Sequence, residues 1–364
     1  MKQTLFSIRQ HPKLQIEIVA AGMHLMPKFG KTIQEIKKDG FKIHEIKTVY
    51  KRDNKESMSN FIGEFVLKLT RLAKKIKPDI IFVQGDRAEM LAGAIVGAYL
   101  TIPVAHTHGG DVTTTVDEFA RHAITKLAHI HFAATKKSAE RIVKMGEDSW
   151  RIFLVGAPGL DSIFNKKLLS KKELAKKYNL DFSKPILLIL QHPVTTEIED
   201  APRQMRKTMT AAKELGYQTI VIYPNADPGG RGMIKVIEKY REYPFFRIYK
   251  SIPSLDYLSL LRNISAIVGN SSSGIIESIP FCLSAINIGD REKRRERTEN
   301  IIDADYNKEE IKKAIKKAVF DRKFRGKVKK CKNPYGDGKT GEKIADILSK
   351  IKIDKKLLQK QITY

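Results

Sequence analysis

The sequence predicts an α/β fold of two Rossmann-like domains facing a central cleft. Three observations predict it. Short apolar runs alternate with amphipathic stretches along the 364 residues. Those runs fall into two sets, separated by a lysine-rich connection that contains Pro158 and Gly159. Many of the runs end in a polar, glycine-containing turn. Strand–helix alternation of this kind builds parallel sheets covered on both faces. Ligands of such sheets sit beyond the carboxyl ends of the strands.

Taken in order, strands are expected at residues 16–20, 80–84, 104–108, 131–134 and 152–155, with helical patterns over 60–76 and 89–100. Residues 156–184 read as the connection between two sheets. A second set of strands is expected at 186–191, 219–223, 246–249, 266–268 and 284–287. The last helix, about 341–352, has no strand after it and is expected to pack back across the domain junction. The expected division is an N-terminal Rossmann-like domain over 1–158, a C-terminal Rossmann-like domain over 159–340, and a helix and tail over 341–364. The length suits two domains of roughly 150–180 residues each.

Composition narrows the function classes. The hydrophobic fraction of 42% supplies two cores. No apolar run reaches the ~18–20 residues of a membrane span, and residues 1–10 lack the apolar stretch of a signal peptide. Cys282 and Cys331 are the two cysteines, without metal-ligand spacing. They are expected as free thiols in a reducing, cytoplasmic setting. The net charge is +26, from 67 Lys+Arg against 41 Asp+Glu. Such a charge admits nucleic-acid binding. The lysines, however, are spread along helical stretches such as 171–177 and 312–317, with no RNA-binding aromatic motif or Cys/His finger. They are expected as a solvated surface of the heat-adapted type, which still attracts an anionic substrate. Neither nucleic acid nor membrane is an expected partner.

The strand ends hold the chemistry. They read Gly85-Asp86-Arg87, His108-Gly109-Gly110-Asp111, His192-Pro193, Pro224-Asn225-Ala226-Asp227, Gly269-Asn270-Ser271-Ser272-Ser273-Gly274 and Gly289-Asp290-Arg291. Polar ends in both halves argue for one shared cleft. Residues 269–274 join an apolar run to a helix, so glycine backbone, serine hydroxyls and helix N–H groups suit a pyrophosphate. Serine N-capping is the plainer use of the same residues. Glu277, one turn on, suits ribose hydroxyls. Arg87 suits phosphate oxygens. His106, His108 and His122 lie among Asp111, Asp117, Glu118 and Arg121, and match no zinc or iron pattern, so acid–base work is expected there and no metal. His129 and His131 are expected as structural. His192 ends a buried run at a cleft mouth, with Asn225 and Asp227 one strand later. Arg294 and Arg297 lie in a cationic run that suits either a diphosphate or open solvent.

The string Gly85-Asp86-Arg87, then residues 102–106 (Ile-Pro-Val-Ala-His), His108-Gly109-Gly110-Asp111, Asp117-Glu118 and residues 121–127 (Arg-His-Ala-Ile-Thr-Lys-Leu), resembles the hydrolysing UDP-N-acetylglucosamine 2-epimerases. Residues 268–274 with Glu277, and 333–339 (Asn-Pro-Tyr-Gly-Asp-Gly-Lys), belong to the same pattern, and the resemblance spans about 14–350. It implies the two-domain fold also seen in GT-B glycosyltransferases, and no cofactor. It implies anti elimination of UDP from a 2-acetamido sugar, then rehydration to a free manno-configured sugar. By the same resemblance Asp86, Asp117 and His192 are acid–base candidates, with Glu118 beside them. His108 stands where some relatives carry a carboxylate. Arg87, Asp111, Arg121, Asn225, Asp227, Ser271, Ser272, Glu277 and Arg294 or Arg297 would hold the UDP-sugar. A homodimer or homotetramer is implied. The sugar is N-acetylglucosamine or a 4-acetamido-4,6-dideoxy relative.

Members of that family open with a strand and a Gly-Thr-Arg-Ala-Glu-Tyr-like loop, which this chain lacks; it starts inside what should be the first helix, near residues 5–9. The first strand of a doubly wound sheet is central, so the natural protein is expected to begin about 15–20 residues upstream. An impaired copy is the alternative. Relatives also carry a Ser-Gly-Thr-like loop where this chain has Thr113-Thr114-Thr115. Three competing readings remain: a GT-B glycosyltransferase, which leaves the 106–121 cluster unexplained; a non-hydrolysing epimerase; and a non-enzymatic nucleotide or nucleic-acid binder.

Overall fold

The computed structural model describes residues 1–50, 54–113, 116–164 and 167–364; Thr114 and Thr115 of the threonine run lie outside them. The N-terminal half runs α1 (Lys2–Gln10), β1 (Ile18–Ala20), α2 (Ile33–Lys38), β2 (Ile43–Glu45), α3 (Lys55–Ile76), β3 (Ile81–Gln84), α4 (Ala88–Tyr99), β4 (Val104–Thr107), α5 (Val116–Leu127), β5 (Ile130–Ala133), α6 (Lys136–Lys144) and β6 (Ile152–Leu154). Two connecting helices follow, α7 (Pro158–Phe164) and α8 (Lys171–Tyr178). The C-terminal half runs β7 (Ile186–Leu190), α9 (Ala201–Leu215), β8 (Gln218–Ile222), α10 (Gly230–Glu238), β9 (Phe246–Tyr249), α11 (Ser254–Asn263), β10 (Ala266–Gly269), α12 (Ser273–Ile276), β11 (Ser284–Ile288), β12 (Ile301–Ala304), α13 (Lys308–Phe320) and α14 (Arg322–Val328). The last helices are α15 (Thr340–Lys350) and α16 (Lys355–Leu358).

Local chemistry sets these elements. The Asn54 side chain caps α3 by accepting from Ser57 N, and Phe61, Phe65, Leu69 and Ala73 then bury one stripe at four-residue spacing. α4 is apolar almost all round because it lies between α3 and α5. β7 and β10 are continuous apolar runs because both of their faces are covered. β2 and β12 were not legible in the sequence. Each is a short edge strand carrying charge, Lys42-Ile43-His44-Glu45 and Ile301-Ile302-Asp303, and edges tolerate polar residues that a central strand does not.

The C-terminal sheet is parallel, in the order β12-β11-β10-β7-β8-β9. Strand order reverses between β7 and β10, which makes their carboxyl ends the crevice of that sheet. The N-terminal strands form two parallel pieces, β1-β2 and β3-β4-β5-β6. Among the described residues β1 is paired only with β2, and β3 only with β4.

α15 packs on α1 and α7, and its Ile344, Ala345 and Leu348 join Ile8, Ile130 and Phe132 in one core. The chain therefore returns to the N-terminal sheet. It crosses where Ala157 N donates to Tyr335 O at 2.7 Å. A Cβ on Gly156 would meet that carbonyl oxygen at 2.8 Å, and one on Gly336 would meet the Gly156 Cα at 3.0 Å. Both glycines have positive φ, so only glycine lets the two connections touch. Among the described residues no helix is long and apolar enough to cross a membrane.

Candidate active site

The crevice between β7 and β10 is built around one amide. Asn270 Oδ1 accepts from His192 N at 2.6 Å, and Asn270 Nδ2 donates to His192 O at 2.9 Å. This two-point clamp holds the backbone of His192 at the end of β7. The turn after β10 needs Gly269, whose φ is +138° and whose Cβ would lie 2.1 Å from Leu190 O. Asn225 N donates to His192 Nδ1 at 3.1 Å. The His192 pKa is pushed well below the usual imidazole range by burial, then by Arg291 and Arg87. The ring is therefore neutral with its proton on Nε2, a hydrogen-bond donor. Ser271 and Ser272 precede α12, and Ser271 Oγ accepts from Ser273 N at 3.3 Å. Glu277 ends α12 and faces Gly159 on the connecting helix α7.

In the N-terminal half, Asp86 and Arg87 follow β3. The turn that carries them is braced from below by buried His106, whose Nε2 donates to Gly85 O at 2.8 Å. Burial pushes the His106 pKa down to about 3, so it is a neutral strut. Asp86 accepts from Arg121, whose Nη1 also donates to Asp111 O at 3.0 Å. Asp111 is 3% exposed and takes three bonds: Ser138 Oγ at 2.7 Å, Arg295 Nη1 at 3.0 Å and His108 Nδ1 at 3.1 Å. Burial works to raise its pKa, but the His108 bond and Arg295 outweigh it and hold it at about 2. An ionised Asp111 has no proton to give, so His108 Nδ1 is the donor. In its neutral form that ring keeps a lone pair on Nε2, the reverse of His192. His108 has φ +61°, an uncommon left-handed conformation for a non-glycine residue.

Arginines tie the halves together. Arg291 donates to Asp117 Oδ2 at 3.2 Å, Asn270 O at 3.2 Å and Glu292 Oε1 at 2.6 Å. Arg295 spans Asp111 and Glu292. Arg87 lies 3.4 Å from Asp227 Oδ1 and 3.5 Å from Glu89 Oε2. Asp227 also accepts from Asn225 Nδ2. Burial, countered by Arg87 and reinforced by Asp117, raises the Asp227 pKa. Burial and the nearby Arg295 push the Arg121 pKa down. A guanidinium stays charged regardless. Four arginines thus line the junction, each paired with at least one carboxylate.

Not every residue singled out from sequence comes here. Arg294 is exposed, and Arg297 pairs with Asp303 at 2.7 Å. The cations that turn inward from that run are Arg291 and Arg295, whose spacing of four puts them on one side of a turn, a signal the sequence held. Glu118 folds back on Thr113 N at 2.6 Å and lies 3.6 Å from His122, so it braces its own loop. His129 and His131 are buried supports, accepting from Val104 N and facing Glu147. The loop 22–32 was missed altogether. Its His24 has exposed surface yet lies beside Glu89 and Arg87, and its Gly30 abuts Ser251 of the other half. Among the described residues no three His, Cys, Asp or Glu converge to hold a metal.

Comparison with known proteins matches residues 7–349 to the family described as UDP-N-acetylglucosamine 2-epimerase. The chain is 38% identical to a hydrolysing UDP-N,N'-diacetylbacillosamine 2-epimerase of Legionella pneumophila, covering 100% of this chain and 96% of that one. It is 34% identical to a UDP-N-acetylglucosamine 2-epimerase of Neisseria meningitidis, over 89% and 85%. Its fold is similar to the crystal structure of a Neisseria meningitidis UDP-GlcNAc 2-epimerase bound to UDP-GlcNAc, with TM-score 0.73, 16% identity, and 92% and 100% coverage.

Proposed function

The chain belongs to the UDP-N-acetylglucosamine 2-epimerase family, and from that premise we propose that it hydrolyses a UDP-linked 2-acetamido sugar with inversion at C2. The observation that carries the hydrolysing reading is the full-length likeness to the hydrolysing Legionella enzyme. That likeness makes UDP-N,N'-diacetylbacillosamine the first sugar nucleotide to offer. The Neisseria relative makes UDP-N-acetylglucosamine the second.

The chemistry is an elimination followed by an addition. A base takes the C2 proton, the C1–O bond breaks, and UDP leaves with the bonding pair. Water then adds across the 2-acetamidoglucal: hydroxide goes to C1, and a proton returns to C2 on the other face. Two proton transfers on opposite faces call for a proton acceptor and a proton donor of different character. We assign the proton transfers to Asp86, Asp117 and His108, held by Arg121, Arg291 and Asp111 respectively, and to the neutral His192 Nε2–H a hydrogen bond to the sugar nucleotide as charge develops on its oxygens. Arg87 and Arg291 would exchange their carboxylate partners for the diphosphate, which frees Asp117 as the nucleotide binds. Ser271, Ser272 and Glu277 are assigned to the nucleotide on their place at the β10 crevice.

The test is to incubate the protein with each sugar nucleotide in D₂O and follow it by proton NMR. The expected products are UDP and a free manno-configured sugar carrying deuterium at C2. A UDP-linked epimer would overturn the hydrolytic reading. Hydrogen retained at C2 would overturn elimination.

A further inference from the structure

α5 carries Asp117, Glu118 and Arg121 in its first turns, and its other end is held from far along the chain. The last carbonyls of a helix lack partners within it and favour a cation. Here the Lys360 ammonium meets carbonyls at and just past that end: it donates to Lys126 O at 2.6 Å, Ala128 O at 2.8 Å and Thr125 O at 3.3 Å. It also pairs with Glu147 Oε2 at 2.8 Å, with its side chain 14% exposed. Glu147 is 1% exposed and takes Lys126 Nζ at 2.7 Å and His131 Nε2 at 3.1 Å as well. Lys360 is thus seated in a buried charge cluster that the reaction does not use.

The segment around Lys360 is fastened at further points. Asp354 caps α16 through Leu357 N, and Leu357 is 2% exposed against Ile130, Phe132 and Leu348. Arg151 donates to Leu357 O and Lys356 O at 2.8 Å each. Thr363 N donates to Gly146 O at 3.3 Å. α5 itself buries little, only Arg121, Ile124 and Thr125. Side-chain packing alone is a weak brake on sliding such a helix along its axis.

We propose that residues 353–364 form a strap that fixes the axial position of α5, with Lys360 as the positioning residue that places Asp117 and Arg121 in the cleft. This rests on α5 carrying acid–base groups, as proposed above. A shift of about 1 Å in reacting groups costs on the order of 100-fold in rate.

The experiment compares Lys360→Met, Lys360→Arg and a control, Lys356→Met, whose exposed ammonium only overlies Trp150. We expect Lys360→Met to lower kcat by about 10–100-fold. UDP affinity, set largely by the C-terminal half, should change less than about twofold, and amide exchange should rise selectively over 116–127. Lys360→Arg should recover most of the rate, and Lys356→Met should behave as the parent. An unchanged kcat in folded Lys360→Met overturns the proposal, whatever the exchange shows. So does a kcat loss that only tracks the fraction of folded protein by near-UV circular dichroism. The exchange measurement needs no turnover. If the parent turns over neither sugar nucleotide, the proposed reaction fails, and α5 protection alone then decides the strap.

Discussion

His192 and His108 show how one side chain presents two different ring nitrogens according to its hydrogen bonds. A backbone N–H on His192 Nδ1 leaves the proton on Nε2. A buried carboxylate on His108 Nδ1 leaves Nε2 open. Losing one preorganised hydrogen-bond donor costs about 10²–10³-fold, so His192→Gln should lower kcat by up to that range while UDP affinity stays near the parent value. Separate measurement of turnover and of UDP binding by calorimetry checks it. The arginine run gives a contrast between neighbours. Arg291→Gln should weaken UDP binding at least tenfold by removing a charged donor at the junction. Arg294→Gln, at an exposed side chain, should leave binding within about twofold. Equal effects would mean that the inward turn of Arg291 has been misassigned.

At the scale of elements, the site depends on where strands stop. Gly269 ends β10 in a conformation closed to L side chains, with the Leu190 carbonyl where a Cβ would be. Gly269→Ala should destabilise the protein by about 1–3 kcal/mol through backbone strain and forced separation of β7 from β10, and should loosen the Asn270–His192 clamp with it. A urea titration that shows an unchanged midpoint would refute this. The expected helix over 60–76 was readable as the body of α3 from its apolar spacing, while its first turn from Lys55 and the Asn54 cap were not. The edge strands β2 and β12 were not, because three or four half-exposed residues leave little periodicity to read.

At the scale of the molecule, ion pairs cross the junction at Arg87–Asp227, Arg291–Asp117 and Arg295–Asp111. Buried titratable groups set its pH range. Burial holds His106 at about 3 and His129 at about 4. An unfolded histidine titrates near about 6.5, so below that pH the unfolded chain binds protons that the folded chain does not, and stability falls as pH falls. Asp111 and Glu147, both held at about 2 despite burial, add a further loss below about pH 4, where unfolded carboxylates protonate first. The urea midpoint should therefore decline from pH 7 to 5 and more steeply below 4, even in salt that screens the net charge. A midpoint that rises between pH 7 and 5 would contradict this.

By itself the sequence determined the α/β plan of two sets of parallel strands, the polar glycine-containing turns at their ends, and the motifs that place the chain in its family. These are local signals: apolar period, glycine at turns, and polar residues after buried runs. The spacing of four pairs Arg291 with Arg295, but only the tertiary structure decided that their side of the turn, and not that of Arg294 and Arg297, faces inward. It alone decided the tautomers of His108 and His192, because these follow from partners brought in by other elements. It also decided that Lys360 caps a helix more than 230 residues earlier in the chain. No periodicity encodes a contact of that separation; only the return of the chain to the N-terminal sheet creates it.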